Sequence, residues 1–354
     1  MLVAVCGLLG LSSPAAQAQV TCYAVSGINI NWEDANSWAD SRGGTPGSCP
    51  DGNNGYPDAS DENAVIDGSV GSGVIMEIEV NPSPSDLTVG FVNIIGNGQT
   101  ATLKTAGNVF GDTERNFQVS SMSILDADAT FSMVDGDGRH RLLTSGNFQN
   151  QGDFRPGGVA EVSFNGGGAF QSLSGSFSDG GAGDNDSFAD LEVQNGASVN
   201  PQDLVQVLGN MNIQGQYGQG VSEPDTLVFG GADFAVSASG SFFSAQIKFN
   251  NANTTTASGE VFADVLITNG TLVQLSNNFE INGLLTVDTN DELQILTGGS
   301  LTLNDDFVNN GTFSPGSQSV EFSGGTNDGG GDPSETSCGG TKTSDGDCEQ
   351  DIRG

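Results

Sequence analysis

The stretch "GNFQNQGDFRPGG" at residues 146–158 recurs in altered form as "DDFVNNGTFSPGS" at residues 305–317. Both copies share the spacing F-x-N-x-G-x-F-x-P-G. The first matched positions are Phe148 and Phe307, Asn150 and Asn309, Gly152 and Gly311, and Phe154 and Phe313. A phrase that recurs in this way indicates an array of stacked supersecondary units.

Further matches extend the pattern along the chain. "FADLEVQNGASV" from Phe188 aligns without gaps to "FADVLITNGTLV" from Phe262, and "LVQVLGNMNIQG" from Leu204 aligns to "LVQLSNNFEING" from Leu272. These matches predict a large unit over residues 146–208, a second over 209–304, and a third that begins at 305 and breaks off near 325. Three short coils would fit into one such unit.

Short apolar runs recur within these units, and Gly, Asn and Asp punctuate them. In "SLTLN", Leu301 and Leu303 point to one side of a strand and Ser300 and Thr302 to the other. Stacked coils would bury such leucines as a continuous column. The pattern therefore predicts an all-β fold, a right-handed parallel β-helix. Matched asparagines, Asn150 with Asn309 and Asn195 with Asn269, are expected to form amide ladders between coils. The alternative is a string of β-sandwich domains, which need about 100 residues each.

Composition divides the chain into four parts. Residues 1–18 combine a short apolar stretch with a small-x-small cleavage site, which predicts a secretory signal peptide. Residues 19–68 hold both tryptophans and are predicted to cap the N-terminal end of the solenoid at 69–325. Residues 326–354 are expected to form a disordered acidic tail. We expect a secreted protein, extracellular or on the cell surface, without a membrane span. It is either released or the beginning of a longer protein.

The charge balance of the chain limits the classes of molecule that the protein can bind. The chain has 44 acidic residues against 9 Lys and Arg, a formal net charge of −35. The charge balance disfavours nucleic acid and anionic membrane surfaces as partners, because both are bound through Lys and Arg. The acids either keep the surface soluble or ligate calcium, the one cofactor that the composition suggests.

The cysteines suggest an oxidising compartment. Cys6 would leave with the signal peptide, so four remain: Cys22, Cys49, Cys338 and Cys348. Three connectivities are possible, and local pairing as Cys22–Cys49 and Cys338–Cys348 is the simplest. The rival is a metal site of four thiolates, which requires the two ends of the chain to meet.

The segment "VDGDGRHR" at residues 134–141 is the strongest candidate for chemistry. Asp135 and Asp137 could hold calcium beside His140, the single histidine of the chain, as in a lyase that abstracts a proton next to a uronate carboxylate. The competing interpretation is an ordinary Asp-Gly turn. Two other acidic stretches, "GGAGDNDSF" at 180–188 and "DASDENAVIDG" at 58–68, carry the same pair of interpretations, calcium site or turn.

Trp32 and Trp38 allow two interpretations. They could stack on sugar rings as a ligand-binding pair, or they could close the core at the cap. No catalytic residue is assigned, because the chain contains no nucleophile elbow, zinc motif, phosphate loop or dinucleotide fingerprint.

The pattern "W…ANSW…G…P…D.AVI", followed by "L.V.GNF.NNGTF..G..VEFSGG" and "F.DL.V.NG..V", resembles large secreted repeat proteins of Bacteroidetes-type bacteria over residues 32–325. The resemblance implies a parallel β-helical surface or adhesin-like protein that is not an enzyme. Expected partners are extracellular glycans or neighbouring surface proteins. The alternatives are a calcium-dependent polysaccharide lyase, a glycan-binding protein, and a purely mechanical fibre segment.

Overall fold

The computed structural model describes residues 19–50, 53–71, 73–79, 86–106, 115–133, 140–156, 160–167, 169–177, 186–219 and 225–323, with two short strands at 341–342 and 348–349. Almost every strand in these ranges pairs in parallel with a strand one coil further along the chain. Leu272, for example, pairs with Glu292, and Leu293 pairs with Phe313. The predicted all-β class and the parallel β-helix are confirmed.

Each coil has three sides, which we name faces A, B and C in the order in which the chain visits them. Face A contains β10 (His140–Thr144), β13 (Glu161–Phe164), β15 (Asp190–Val193), β18 (Met211–Ile213), β21 (Asp233–Val236), β24 (Leu272–Leu275), β27 (Glu292–Ile295) and β30 (Thr312–Ser314). The first halves of β6 (Leu87–Ile95) and β8 (Arg115–Ile124), and the first part of β23 (Thr254–Ile267), also belong to it.

Face B follows face A around the first corner. It contains β1 (Val20–Ala24), β4 (Glu62–Asp67), β11 (Phe148–Asn150), β14 (Gln171–Gly175), β16 (Ser198–Pro201), β19 (Gln216–Tyr217), β25 (Asn278–Ile281), β28 (Ser300–Leu303) and β31 (Ser319–Phe322). The second halves of β6 and β8, the start of β22 (Ser241–Phe249) and the middle of β23 complete it.

Face C closes the coil. It contains β2 (Gly27–Asn31), β5 (Val74–Glu79), β7 (Ala101–Ala106), β9 (Ala129–Ser132), β12 (Asp153–Arg155), β17 (Val205–Val207), β20 (Thr226–Phe229), β26 (Leu285–Val287), β29 (Phe307–Asn309) and the last parts of β22 and β23. Three short strands lie outside the faces: β3 (Trp38–Ala39), β32 (Thr341–Lys342) and β33 (Cys348–Glu349). A 3₁₀ turn at Ala35–Ser37 is the one helical element in the described ranges.

The alternation predicted from the sequence fills the interior. In β28, Leu301 and Leu303 are buried, and Ser300 and Thr302 face outward. The same alternation repeats in coil after coil, so the inward side chains form one continuous hydrophobic core. The largest fully buried side chains are mostly phenylalanines.

The repeated phrase at Phe148 and Phe307 builds a corner rather than a complete coil. In both copies the first Phe and the second Phe pack edge to face, with ring centroids 5.2 Å apart for Phe148–Phe154 and 5.3 Å apart for Phe307–Phe313. In both, the Asn Oδ1 accepts a hydrogen bond of 3.2 Å from the backbone N–H of the Gly two residues later. That Gly is required, because a Cβ there would collide with backbone carbonyl oxygens of the preceding coil.

The two copies of the phrase lie at different corners of the coil. Phe148 is on face B, where it pairs with Met122 and Leu173, whereas Phe307 is on face C and pairs with Leu285. The predicted unit of three coils is therefore wrong, because its matched segments do not begin at the same face of the coil. The repeating element is one strand with its corner, and all three faces use the same element.

The same phase shift removes both predicted asparagine ladders. Asn150 and Asn309 lie at different corners, so they cannot stack on each other. Asn150 is buried instead, and its Nδ2 donates to Ser176 O at 2.6 Å and to Asp186 Oδ1 at 2.8 Å. Asn195 follows face A, whereas Asn269 follows face C, and Asn269 has a left-handed φ of 67°.

The predicted cap at 19–68 contains strands of the solenoid as well as the two indoles. Strand β1 pairs in parallel with β4 on one side and antiparallel with β3 on the other, so β3 covers the first strand edge of face B. Trp32 and Trp38 are fully buried, with ring centroids 4.7 Å apart. The Cys22–Cys49 disulfide ties this region to β1.

The remaining predicted segments lie mostly beyond the described ranges. Residues 1–18 and Cys338 are outside them. Cys348 lies in the strand pair β32–β33, which is the part of the predicted tail that the structure describes. None of the helices in the described ranges has the length and apolar character needed to cross a bilayer.

Asp67 gives a prediction for the pH dependence of stability. Its carboxylate is almost completely buried and accepts hydrogen bonds from Ser69 N at 2.9 Å and Ser69 Oγ at 2.7 Å, and it pairs with Arg42. Burial alone would raise the pKa of Asp67, but the hydrogen bonds from Ser69 and Asn97 and the charge of Arg42 outweigh it and lower that pKa.

We expect Asp67→Asn to lower the free energy of unfolding by about 1–3 kcal/mol at pH 7, because hydrogen bonds to a charged group are lost. A carboxyl group whose pKa is lower in the folded state than in the unfolded state stabilises the folded state at pH values above its unfolded-state pKa. This contribution is lost as the pH falls through the folded-state pKa. The difference between wild type and Asp67→Asn should therefore shrink below about pH 4 in denaturant titrations. Arg42→Ala, at an exposed side chain, should cost less than about 1 kcal/mol. A difference that is constant with pH would contradict the assignment.

Candidate functional site on face B

The outer surface of face B carries a column of side chains that crosses successive coils. Phe243 pairs in register with Phe262, and their rings stack with centroids 4.9 Å apart and an angle of 22° between the planes. Both rings are only partly buried, whereas the neighbouring Phe242 points inward and is fully buried. Because this aromatic pair lies on the outside of the solenoid, packing of the core does not account for it.

The column continues with amides beyond the two rings. Phe262 lies next to Asn282 in register, one residue after the paired residues Val261 and Ile281. Asn304 Nδ2 donates to Asn282 Oδ1 at 2.7 Å, and Ser323 Oγ hydrogen-bonds to Asn304. This is an amide ladder between coils, at residues that the sequence repeats did not mark.

Carboxylates flank the amides on the same outward side. Glu260 pairs in register with Glu280. Asn282 Nδ2 donates to Glu260 Oε1 at 3.2 Å, and Asn304 Nδ2 donates to Glu280 Oε1 at 2.8 Å. The amide groups therefore hold both carboxylates in fixed directions, each with further lone pairs available to a ligand. We call this set the face B surface; it consists of Phe243, Phe262, Glu260, Glu280, Asn282 and Asn304.

A groove of about 460 Å³ borders the face B surface at the corner between faces A and B. Its lining includes Ser237, Ser258, Glu260 and Asn278. Gly259 also lines the groove and has a φ of 103°. A larger residue does not fit there, because a Cβ at this position would collide with Val236 of the preceding coil. The groove thus joins hydroxyl, amide and carboxylate groups to the edge of the aromatic column.

A second polar cluster lies on the outside of face A. The Arg141 guanidinium pairs with Glu161 and with Glu192, both at 2.5 Å. Ser163 Oγ donates to Glu192 Oε2 at 2.8 Å. Burial raises the pKa of Glu161, against the opposing effect of Arg141.

Paired carboxylates with separated pKa values also serve acid–base catalysis. In this cluster, however, the guanidinium lies between the two carboxylates, where a substrate bond would have to be placed. We interpret Arg141, Glu161 and Glu192 as a clamp between coils.

The residues that the sequence predicted to bind metal or sugar lie elsewhere in the chain. Asp135 and Asp137 lie outside the described residues, and only the backbone of His140 is described, in β10. Trp32 and Trp38 have no exposed surface, and their Nε1 groups donate to Pro57 O at 2.9 Å and to Trp32 O at 2.7 Å. Sugar binding needs exposed aromatic surface, so the burial of both indoles argues against the ligand-binding interpretation and for the core interpretation.

The other acidic candidates serve as turns where they are described. Glu62 Oε2 accepts from the backbone N–H groups of Asp58 and Ala59 at 2.8 and 3.1 Å. Asp186 has a left-handed φ of 62°, and its Oδ1 accepts from Phe154 N at 3.0 Å. Within the described ranges, no group of three His, Cys, Asp or Glu side chains is placed to hold a metal ion.

Comparisons with known proteins identify no relative. No protein-family model, no curated protein and no solved structure matches this chain. Function is therefore argued from the face B surface and the groove beside it.

Proposed function

We propose that the protein is a non-enzymatic adhesive module that binds extracellular carbohydrate through the face B surface. The observation that carries the proposal is the outward Phe243–Phe262 stack with fixed carboxylate and amide groups beside it. The exposed edges of the stacked rings offer apolar surface to the C–H groups of sugars, while carboxylates and amides exchange hydrogen bonds with sugar hydroxyls. The Cys22–Cys49 disulfide is compatible with an extracellular location, which is part of the proposal.

A rigid rod suits adhesion, because parallel ladders hold the binding groups at fixed spacings. Phe243, Phe262, Glu260 and Glu280 lie in strands with parallel partners on both sides, and Asn282 and Asn304 directly follow β25 and β28. Binding groups on strands keep their geometry better than groups on loops. Binding would be distributed over several coils, with modest affinity from each.

The test is binding of the purified chain to a panel of insoluble polysaccharides and immobilised glycans. We expect Phe243→Ala/Phe262→Ala to weaken binding at least tenfold, because each aromatic contact contributes about 1 kcal/mol. Phe262→Leu, which retains apolar volume but not the aromatic ring, should weaken it less.

Phe170→Ala is the matched control, since Phe170 is 41 % exposed and precedes β14, three coils before the β22 strand that carries Phe243. This control should bind like wild type. Thermal unfolding of each variant checks that the fold persists. Absence of binding to every carbohydrate in the panel, or binding that is unchanged in the double variant, would refute the proposed function.

A further inference from the structure

The direction of the face B column constrains the shape of the ligand. Phe243 and Phe262 lie in neighbouring strands, and Asn282 and Asn304 directly follow the next two strands of face B, so the four residues follow one another along the solenoid axis. Neighbouring strands are about 4.8 Å apart, which is close to the length of one sugar residue in an extended chain. A chain that lies along the axis would meet one of these side chains per coil.

The charge on this part of the solenoid constrains the chemistry of the ligand. Residues 225–323 contain 11 acidic residues and one basic residue, Lys248. Glu260 is exposed, Glu280 is half-buried beside it, and Glu321 lies further along the same face. A polyanion placed on this surface would be repelled, because like charges raise the energy of association.

The polar groups of the face B surface are better suited to bind sugar hydroxyls than to bind acidic groups of a ligand. Glu260 and Glu280 only accept hydrogen bonds when ionised, so they need donors such as sugar hydroxyls. Asn282 Nδ2 already donates to Glu260, and Asn304 Nδ2 already donates to Glu280 and to Asn282 Oδ1. Few donors remain for an anionic ligand.

We infer that the ligand is an uncharged polysaccharide whose chain lies along the solenoid axis on the face B surface. This inference rests on the proposed function and adds the charge class and the orientation of the ligand. It sets this protein apart from the uronate-binding alternative that the acidic segments of the sequence suggested.

The experiment compares hydroxyethyl and carboxymethyl derivatives of cellulose, xylan and mannan at low and physiological salt. Wild type should bind the neutral derivative of the preferred backbone at least tenfold more tightly than the anionic one, and the ratio should fall with salt. Glu260→Gln/Glu280→Gln should reduce this ratio by improving binding of the anionic form.

The matched control is Glu292→Gln/Asp233→Asn, which removes the same charge from face A, where Glu292 accepts from Ser314 and Asp233 from Thr256. This variant should keep the ratio of wild type. A series of neutral oligosaccharides tests the orientation: affinity should rise until the oligomer covers the three strand spacings from Phe243 to Asn304, about 14 Å.

The outcomes separate the two proposals. Equal binding of neutral and anionic forms, or an equal effect of the face A variant, would overturn the uncharged ligand and leave carbohydrate binding intact. A disaccharide that binds as tightly as the longest oligomer would overturn the axial orientation. Absence of binding to all derivatives and to the wider panel would overturn the proposed function itself.

Discussion

Phe148→Ala is expected to lower the free energy of unfolding by about 3–5 kcal/mol, the largest effect of any single substitution considered for this chain. The ring of Phe148 is fully buried and lies at the centre of an aromatic cluster. Its centroid is 5.2 Å from that of Phe154, 5.1 Å from that of Phe177 and 6.3 Å from that of Phe188. Its removal leaves a cavity that stacked backbones on three sides cannot close.

The measurement is chemical unfolding followed by tryptophan fluorescence and by far-ultraviolet circular dichroism. Both tryptophans lie in the N-terminal cap, and Trp32 packs against Phe117 with ring centroids 5.7 Å apart, so fluorescence reports on that end of the rod. Circular dichroism reports on all coils. Coils of a solenoid interact mainly with their neighbours, so the two signals need not coincide.

Phe170→Ala serves as the control for this substitution as well. Phe170 is 41 % exposed, and its replacement should change stability by less than about 0.5 kcal/mol. A loss of stability in Phe170→Ala equal to that in Phe148→Ala would contradict the assignment of Phe148 to the core.

The second large effect concerns the Cys22–Cys49 disulfide. Cys22→Ser/Cys49→Ser should lower the free energy of unfolding by about 2–4 kcal/mol, because the bond closes a loop with a sequence separation of 27 residues. The loop holds both tryptophans and β3, which cover the first coil. Loss of the crosslink should therefore appear first in tryptophan fluorescence.

Reduction of the wild-type protein provides an independent check. A reductant should lower the melting temperature of wild type and should affect the double serine variant much less. Any effect that remains in the variant reports on Cys338 and Cys348. Equal sensitivity of the two proteins to reductant would show that Cys22–Cys49 does not stabilise the cap.

The sequence predicted the fold class because strand alternation has a local cause. Leu301 and Leu303 alternate with Ser300 and Thr302, and stacked coils bury such short one-sided strands as a continuous column. The corner phrase was also visible, since Gly152 and Gly311 are required by close contact with backbone carbonyls. Pairing of Cys22 with Cys49 was one of three options, and the structure confirms it.

The phase of the repeats could not be predicted in this way. Faces A, B and C use similar strand and corner elements, so a match between two segments does not reveal whether they share a face. The alignment of Phe148 with Phe307 was correct as a match of local structure, although the two residues occupy different faces. Coil lengths vary along the chain, and this variation moves equivalent phrases from one corner to another.

The face B surface could not be predicted from the sequence for a related reason. Phe243 and Phe262 each look like ordinary strand residues, and nothing local indicates that both rings point outward. In the run "SFF" at residues 241–243, Phe242 points inward and Phe243 points outward, and only the register with the next coil brings Phe243 and Phe262 together.

The sequence by itself determined the strands, the corners and the acidic surface, because these depend on alternation, on glycine and asparagine at turns, and on composition. Tertiary structure alone decided which outward side chains share a column. Side chains one coil apart in space are separated by a variable number of residues, so stacking register, rather than sequence spacing, places the Phe243–Phe262 pair beside Glu260, Glu280, Asn282 and Asn304.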